Sequence, residues 1–124
     1  MLSVLTIDDE AEICEMIDEF LSSKGFKVRT SQSGEEGIKL IDNERPDVVL
    51  LDLMMPGMSG ESVLKNIKER YHDLPVIIIS GVNNPNKIIE LLNEGASDFI
   101  NKPINWGHLE HHLLVWKDCN RHVV

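Results

Sequence analysis

Asp8, Asp9, Asp52, Ser80 and Lys102 are the side chains whose types and positions could do chemistry. Each follows a short apolar run. VLTI (Val4–Ile7) runs into Asp8 and Asp9, and VVLL (Val48–Leu51) runs into Asp52. PVIIIS (Pro75–Ser80) finishes on a hydroxyl with Gly81 behind it, and DFI (Asp98–Ile100) is followed by Lys102 and Pro103. Each residue has an ordinary reading. Asp8, Asp9 and Glu10 suit the start of a helix through its dipole. Lys102 could be a solvated lysine, and Ser80 a strand-end hydroxyl. Jointly these readings do poorly. Two carboxylates about 4 Å apart repel by roughly 4 kcal/mol at an effective dielectric of about 20. Three in one cleft call for a cation, and oxygen donors suit Mg²⁺. A carboxylate can also act as a nucleophile, here toward phosphorus, giving an acyl phosphate. That chemistry needs mainly positioning and charge neutralisation. Lys102 and Mg²⁺ would neutralise the phosphoryl oxygens, and Ser80 would donate a hydrogen bond to one.

Positioning falls to the elements around these residues. Five apolar runs recur, the fifth being DFI and the second FKVRT (Phe26–Thr30). VVLL and PVIIIS are continuously apolar, as strands covered on both faces read. Helical spacing fills the intervals. Ile13, Ile17 and Leu21 recur four apart, with Gly25 as a C-terminal stop. Ser33 with Glu36 three later reads as a capping box. Val63, Leu64 and Ile67 share one side of the next segment. Asn84 caps a helix with Pro85 at its first position and Gly95 at its end. Leu109, Leu113 and Trp116 form the stripe of the last helix. Strand–helix alternation repeated five times predicts an α/β parallel sheet with helices on both faces. In such sheets ligands bind beyond the carboxyl ends of the strands. That gathers the five residues into one pocket and explains why a buried run ends on Asp52: the strand aims it there. The turn from Met54 to Met58 would fold over the edge of the site and offer a backbone carbonyl to the metal.

The bulk numbers agree. The 124 residues suit a single domain, 1–124. A composition of 42% hydrophobic and 27% charged residues is ordinary for a globular protein. The net charge of −9 argues against a general nucleic-acid or anionic-membrane binder. Cys14 and Cys119 are expected to be reduced thiols, with no metal-site spacing. There is no signal-peptide pattern and no apolar stretch of the roughly 20 residues that span a bilayer. A cytoplasmic location is expected.

Four pieces then match a known family: IDDE (Ile7–Glu10), DVVLLDLMMPGMSG (Asp47–Gly60), IIISG (Ile77–Gly81) and GASDFINKP (Gly95–Pro103). Over nearly its whole length the sequence resembles the receiver domain of two-component response regulators. The resemblance implies a flavodoxin-like sheet of order 2-1-3-4-5. It implies that Asp52 accepts a phosphoryl group from a phosphohistidine on a sensor histidine kinase or phosphotransfer protein. Asp8, Asp9, Asp52 and the Met54 backbone carbonyl would organise Mg²⁺, with Asp9 the more direct ligand of the acidic pair. Ser80 and Phe99 would be the switch residues, Lys102 would pair with a phosphoryl oxygen, and the peptide before Pro103 would be cis. The signal would pass to an output domain or downstream protein through the face of the fourth helix, fifth strand and fifth helix. Trp106 and Trp116, at or near that last helix, would report the change by fluorescence. Such a domain is not a conventional enzyme, although it catalyses its own phosphorylation and dephosphorylation.

Three features depart from the family pattern. Phe99 stands where a tyrosine is common. Asn83, Asn84 and Asn86 make the following loop amide-rich, and Gly107 should weaken the first turn of the last helix. Other classes fit less well. An aspartyl-phosphate phosphatase would need an acid where Met54 stands. A flavodoxin would need a hydroxyl- and glycine-rich loop in place of Asp8, Asp9 and Glu10. A pseudo-receiver would lack one of the key residues. His108 and His112, four apart on a helix and flanked by His111 and His122, could share a face. With no acidic or cysteine partner at a telling spacing, a solvated helix face is the expected reading.

Overall fold

A computed structural model describes residues 2–55 and 57–122, with side chains described to residue 116. Pro56 of the methionine turn and the side chains of Cys119 and His122 lie outside the described residues. In chain order the elements are β1 (Ser3–Ile7), α1 (Ala11–Ser23), β2 (Lys27–Ser31), α2 (Gly34–Asn43) and β3 (Val48–Asp52). They continue as α3 (Gly60–Arg70), β4 (Val76–Ser80), α4 (Pro85–Asn93), β5 (Asp98–Asn101) and α5 (Trp106–His122). All the pairings are parallel, in the order β2-β1-β3-β4-β5. That is the expected 2-1-3-4-5 sheet. Strand ends differ from the apolar runs by a residue. Pro75, for example, has no N–H and joins the ladder only through its carbonyl, which accepts from Val49.

Strand parity explains the unbroken apolar runs. Leu5, Ile7, Val49, Leu51, Val76 and Ile78 pack with Ile41, Val63, Leu64, Ile67 and Leu91, from α2, α3 and α4. Val4, Val48, Leu50, Ile77 and Ile79 point the other way, onto Ile17 and Leu21 of α1 and Leu109 and Leu113 of α5. Alternate residues thus fill two separate cores, so both phases of β3 and β4 are apolar until Asp52 and Ser80 end them.

Local signals set the helix ends. Gly25 and Gly95 follow α1 and α4 with φ of 90° and 112°, the left-handed conformation that stops a helix. The Asn84 side chain accepts from Asn86 N, and Pro85 opens α4. The expected capping box at Ser33 is only half present. Its hydroxyl accepts from Glu36 N, but the Ser33 N–H donates to Ser31 Oγ instead of Glu36. The start of α5 is better held than its glycine suggests, because Asn105 Oδ1 accepts from His108 N.

Candidate functional site

The sheet presents its carboxyl edge between β1, β3, β4 and β5. Asp8 and Asp52 are only 2% and 4% exposed there, while Asp9 is half-buried. One carboxylate oxygen from each of Asp8, Asp9 and Asp52 lies within 4.8 Å of the others. Lys102, reached from β5, sets its ammonium 3.2 Å from Asp8 Oδ2 and 3.5 Å from Asp52 Oδ1. The Lys102 backbone N–H donates to the Ser80 carbonyl at 2.9 Å, and the Lys102–Pro103 peptide is cis.

The three acids are held differently. Asp8 Oδ1 accepts from Glu10 N at 3.0 Å and Oδ2 faces Lys102, so both its oxygens are engaged. Asp52 Oδ1 accepts a long bond of 3.4 Å from Met54 N and shares Lys102. Among the described residues the Asp9 carboxylate has no such partner, which leaves it the freest donor toward an added cation. Ser80 is 1% exposed, and its hydroxyl accepts from Val82 N at 3.3 Å. Phe99 is half-buried against the α2–α4 core. Met55 and Met58 pack on that same core, whereas Met54 is 70% exposed. The turn is therefore only partly a lid.

Burial, then the neighbouring Asp8 carboxylate, push the Asp52 carboxyl up to about 6, against the pull of Lys102. Burial works against the Lys102 ammonium, yet Asp8 and then Asp52 hold it above its ordinary range. Two negative groups on one ammonium leave a net negative cleft. Its hard oxygen donors fit a small divalent ion that keeps several water ligands.

Two supporting residues escaped the sequence reading. Gly60 opens α3 directly behind the acidic strand. A Cβ there would sit 2.5 Å from the Asp52 carbonyl oxygen and 2.5 Å from Leu53 Cα. Only glycine lets the helix close on the strand end, and Gly60 N accordingly donates to the Leu53 carbonyl at 3.1 Å. The second is Cys14, buried beneath Asp8, whose Sγ donates to the Asp8 carbonyl at 3.3 Å. Burial and then the Asp8 carboxylate push its thiol up to about 11, so it is a packing residue and not a nucleophile.

Two observations on the last helix bear on the sequence expectations. Trp106 and Trp116 pack on the α1–α5 core, with Trp106 and Phe20 ring centroids 5.1 Å apart. Phe99 packs on the opposite face of the sheet, so neither tryptophan is a direct reporter of it. His112 is also not simply solvated, because its Nδ1 meets Asp98 Oδ2 of β5.

A doubly wound parallel sheet with an acid cluster and a lysine at its carboxyl edge places these side chains where sheets of this class bind their ligands. Residues 4–114 match the family model of the response regulator receiver domain. The chain belongs to that family of two-component signalling domains. It is 36% identical over 104 residues to the transcriptional regulatory protein AfsQ1 of Streptomyces coelicolor, spanning 84% of this chain and 46% of that protein. To the response regulator SaeR of Staphylococcus aureus it is 33% identical, over 85% of this chain and 46% of that one. The chain thus spans under half the length of these relatives. Among solved structures, a response regulator receiver domain protein from Clostridium thermocellum superposes with a TM-score of 0.94 at 28% identity, covering 100% of both chains. The chemotaxis protein CheY4 of Vibrio cholerae gives 0.87 at 29% identity, over 92% of this chain and 97% of that one. Among the described residues no helix is long and apolar enough to cross a membrane.

Proposed function

We propose that Asp52 accepts a phosphoryl group from a phosphohistidine on a sensor histidine kinase or phosphotransfer protein. The observation that carries this reading is Asp52 itself, an all-but-buried carboxylate at the end of a strand buried along its length, within reach of Lys102. An Asp52 oxygen forms the bond to phosphorus, and the P–N bond breaks. The imidazole nitrogen keeps that electron pair and leaves once protonated. Nothing in the step demands a general base, since the nucleophile is already an anion above pH about 6.

Asp8, Asp9, Asp52 and the Met54 carbonyl would hold Mg²⁺, which when bound neutralises phosphoryl charge and orients its oxygens. Lys102 exchanges its contact with Asp52 for one with a phosphoryl oxygen, and keeps Asp8. The Ser80 hydroxyl turns from Val82 N to donate to another. Phe99 follows into the space that Ser80 leaves, changing the surface of α4, β5 and α5, where Ile89 and Leu92 are exposed. An output domain or downstream protein reads that surface.

The test is incubation with phosphoramidate, with and without Mg²⁺, followed by intact mass. One phosphoryl adduct is expected, dependent on Mg²⁺ and absent from Asp52→Asn. A full-yield adduct on the Asn variant would overturn the assignment.

A further inference from the structure

The first turns of α5 carry His108, His111 and His112, none of which the receiver chemistry uses. His108 and His112 are four apart, so they lie on one helix face, with ring centroids 6.3 Å apart. His111 is three residues from His108, and its ring centroid is 6.1 Å from that of His112. His108 and His111 are exposed, and His112 is half-buried.

The feature that separates this group from a solvated face comes from β5. His112 Nδ1 lies against Asp98 Oδ2, and Asp98 Oδ1 accepts from Phe99 N at 2.8 Å. The carboxylate is therefore fixed by the strand, and it fixes the imidazole. With Nδ1 engaged, Nε2 is the nitrogen left to coordinate. A carboxylate on the far nitrogen of a histidine is the usual support of a metal-bound imidazole, orienting the ring and raising its basicity. We propose that His112 and His108, with His111 as third donor and Asp98 as orienting partner, form a surface site for zinc or a similar borderline divalent ion.

The donors do not yet converge. An ion bonded to two imidazole nitrogens at about 2.0–2.1 Å in tetrahedral geometry brings ring centres to roughly 5 Å. The rings must close by about 1 Å, which an exposed His108 side chain can supply by rotating, as staggered rotamers interconvert readily at a surface. The partial positive charge of the α5 N-terminus opposes a cation there. The Asp98 carboxylate and the −9 net charge of the chain act the other way. Selectivity follows from donor type. Nitrogen donors favour zinc, copper and nickel, whereas the oxygen donors of Asp8, Asp9 and Asp52 favour magnesium. The two sites should fill independently.

The experiment is calorimetric titration of Zn²⁺ into the untagged chain in excess Mg²⁺, with histidine ring resonances followed by NMR. One zinc per chain is expected, shifting the His108 and His112 rings. His108→Ala, which leaves the Asp98–His112 pair intact, should weaken binding at least 10-fold. Asp98→Asn should weaken it by about 10–100-fold, the range for losing an orienting partner. Zinc affinity unchanged in His108→Ala, or zinc shifts confined to residues around Asp52, would overturn the proposal.

Discussion

At the scale of the residue, the site is defined by the competition around Asp52. Burial and Asp8 raise its carboxyl to about 6 from an ordinary 3.8. The folded state therefore binds a proton more tightly than the unfolded chain does. The neutral form's contribution is fully present below about pH 4 and is lost as pH rises through about 6. The difference corresponds to a few kcal/mol, on the order of 2–3. Without divalent cations, Asp52→Asn should thus be more stable than wild type at pH 7.5 by up to that amount. The gap should close toward pH 4, and denaturant melts across this range check it. On the proposed function, loss of the phosphoryl group from Asp52 should depend on the neighbouring positions. Water must be oriented to attack the acyl phosphate. The residues two past Asp52 and two past Ser80 are Met54, exposed, and half-buried Val82. Neither side chain offers a strong hydrogen bond to water. A Met54→Asn, Val82→Glu double variant should therefore lose its phosphoryl group faster than wild type. Equal decay rates, followed by intact mass over time, would show that orientation at these positions does not set the lifetime.

At the scale of the element, the strands and helices were legible because their causes are local. Two-faced burial writes β3 and β4 as unbroken apolar runs, and Asn84, Pro85 and Gly95 bracket α4 within one segment. The clustering of Asp8, Asp9, Asp52 and Lys102 could be read too, because parallel strands deliver their carboxyl ends to one edge. What escaped depends on neighbours that no spacing rule brings together. The Asp98–His112 contact joins a strand to the next helix, and the Ser31–Ser33 bond takes the donor the capping box would have used. Gly60 belongs to the same class, since its need for glycine comes from the backbone of Asp52 and Leu53. Gly60→Ala should force α3 away from the strand end and destabilise by about 1–3 kcal/mol, as overpacking does. Gly81→Ala is the stability control, because a Cβ there would meet nothing within 4 Å. Similar urea midpoints for the two variants would remove the close approach from the account.

At the scale of the whole molecule, two cores share one sheet, and the acidic edge communicates with them unequally. Ser80 and Lys102 sit on β4 and beyond β5, tied by the Lys102–Ser80 backbone bond. Phe99 packs on the α2–α4 core, so the structural response to phosphoryl binding should run through that side. A phosphoryl group adds about −1.5 to −2 charges at neutral pH and shifts the equilibrium only by its differential affinity for the two states. Amide NMR shifts with a phosphoryl analogue should change along residues 85–101, and tryptophan fluorescence should respond less, because Trp106 and Trp116 pack on the other core. Large fluorescence changes with silent amides in α4 would place the response on the wrong face of the sheet.

The central claim is that Asp52, and neither of the acids beside it, carries the phosphoryl group. Borohydride reduces an acyl phosphate to the alcohol, so a phosphorylated aspartate becomes homoserine. The chain, phosphorylated in Mg²⁺, reduced and digested, should yield homoserine at position 52 and intact aspartate at positions 8 and 9. Homoserine at Asp8 or Asp9, with Asp52 unmodified, would contradict the account.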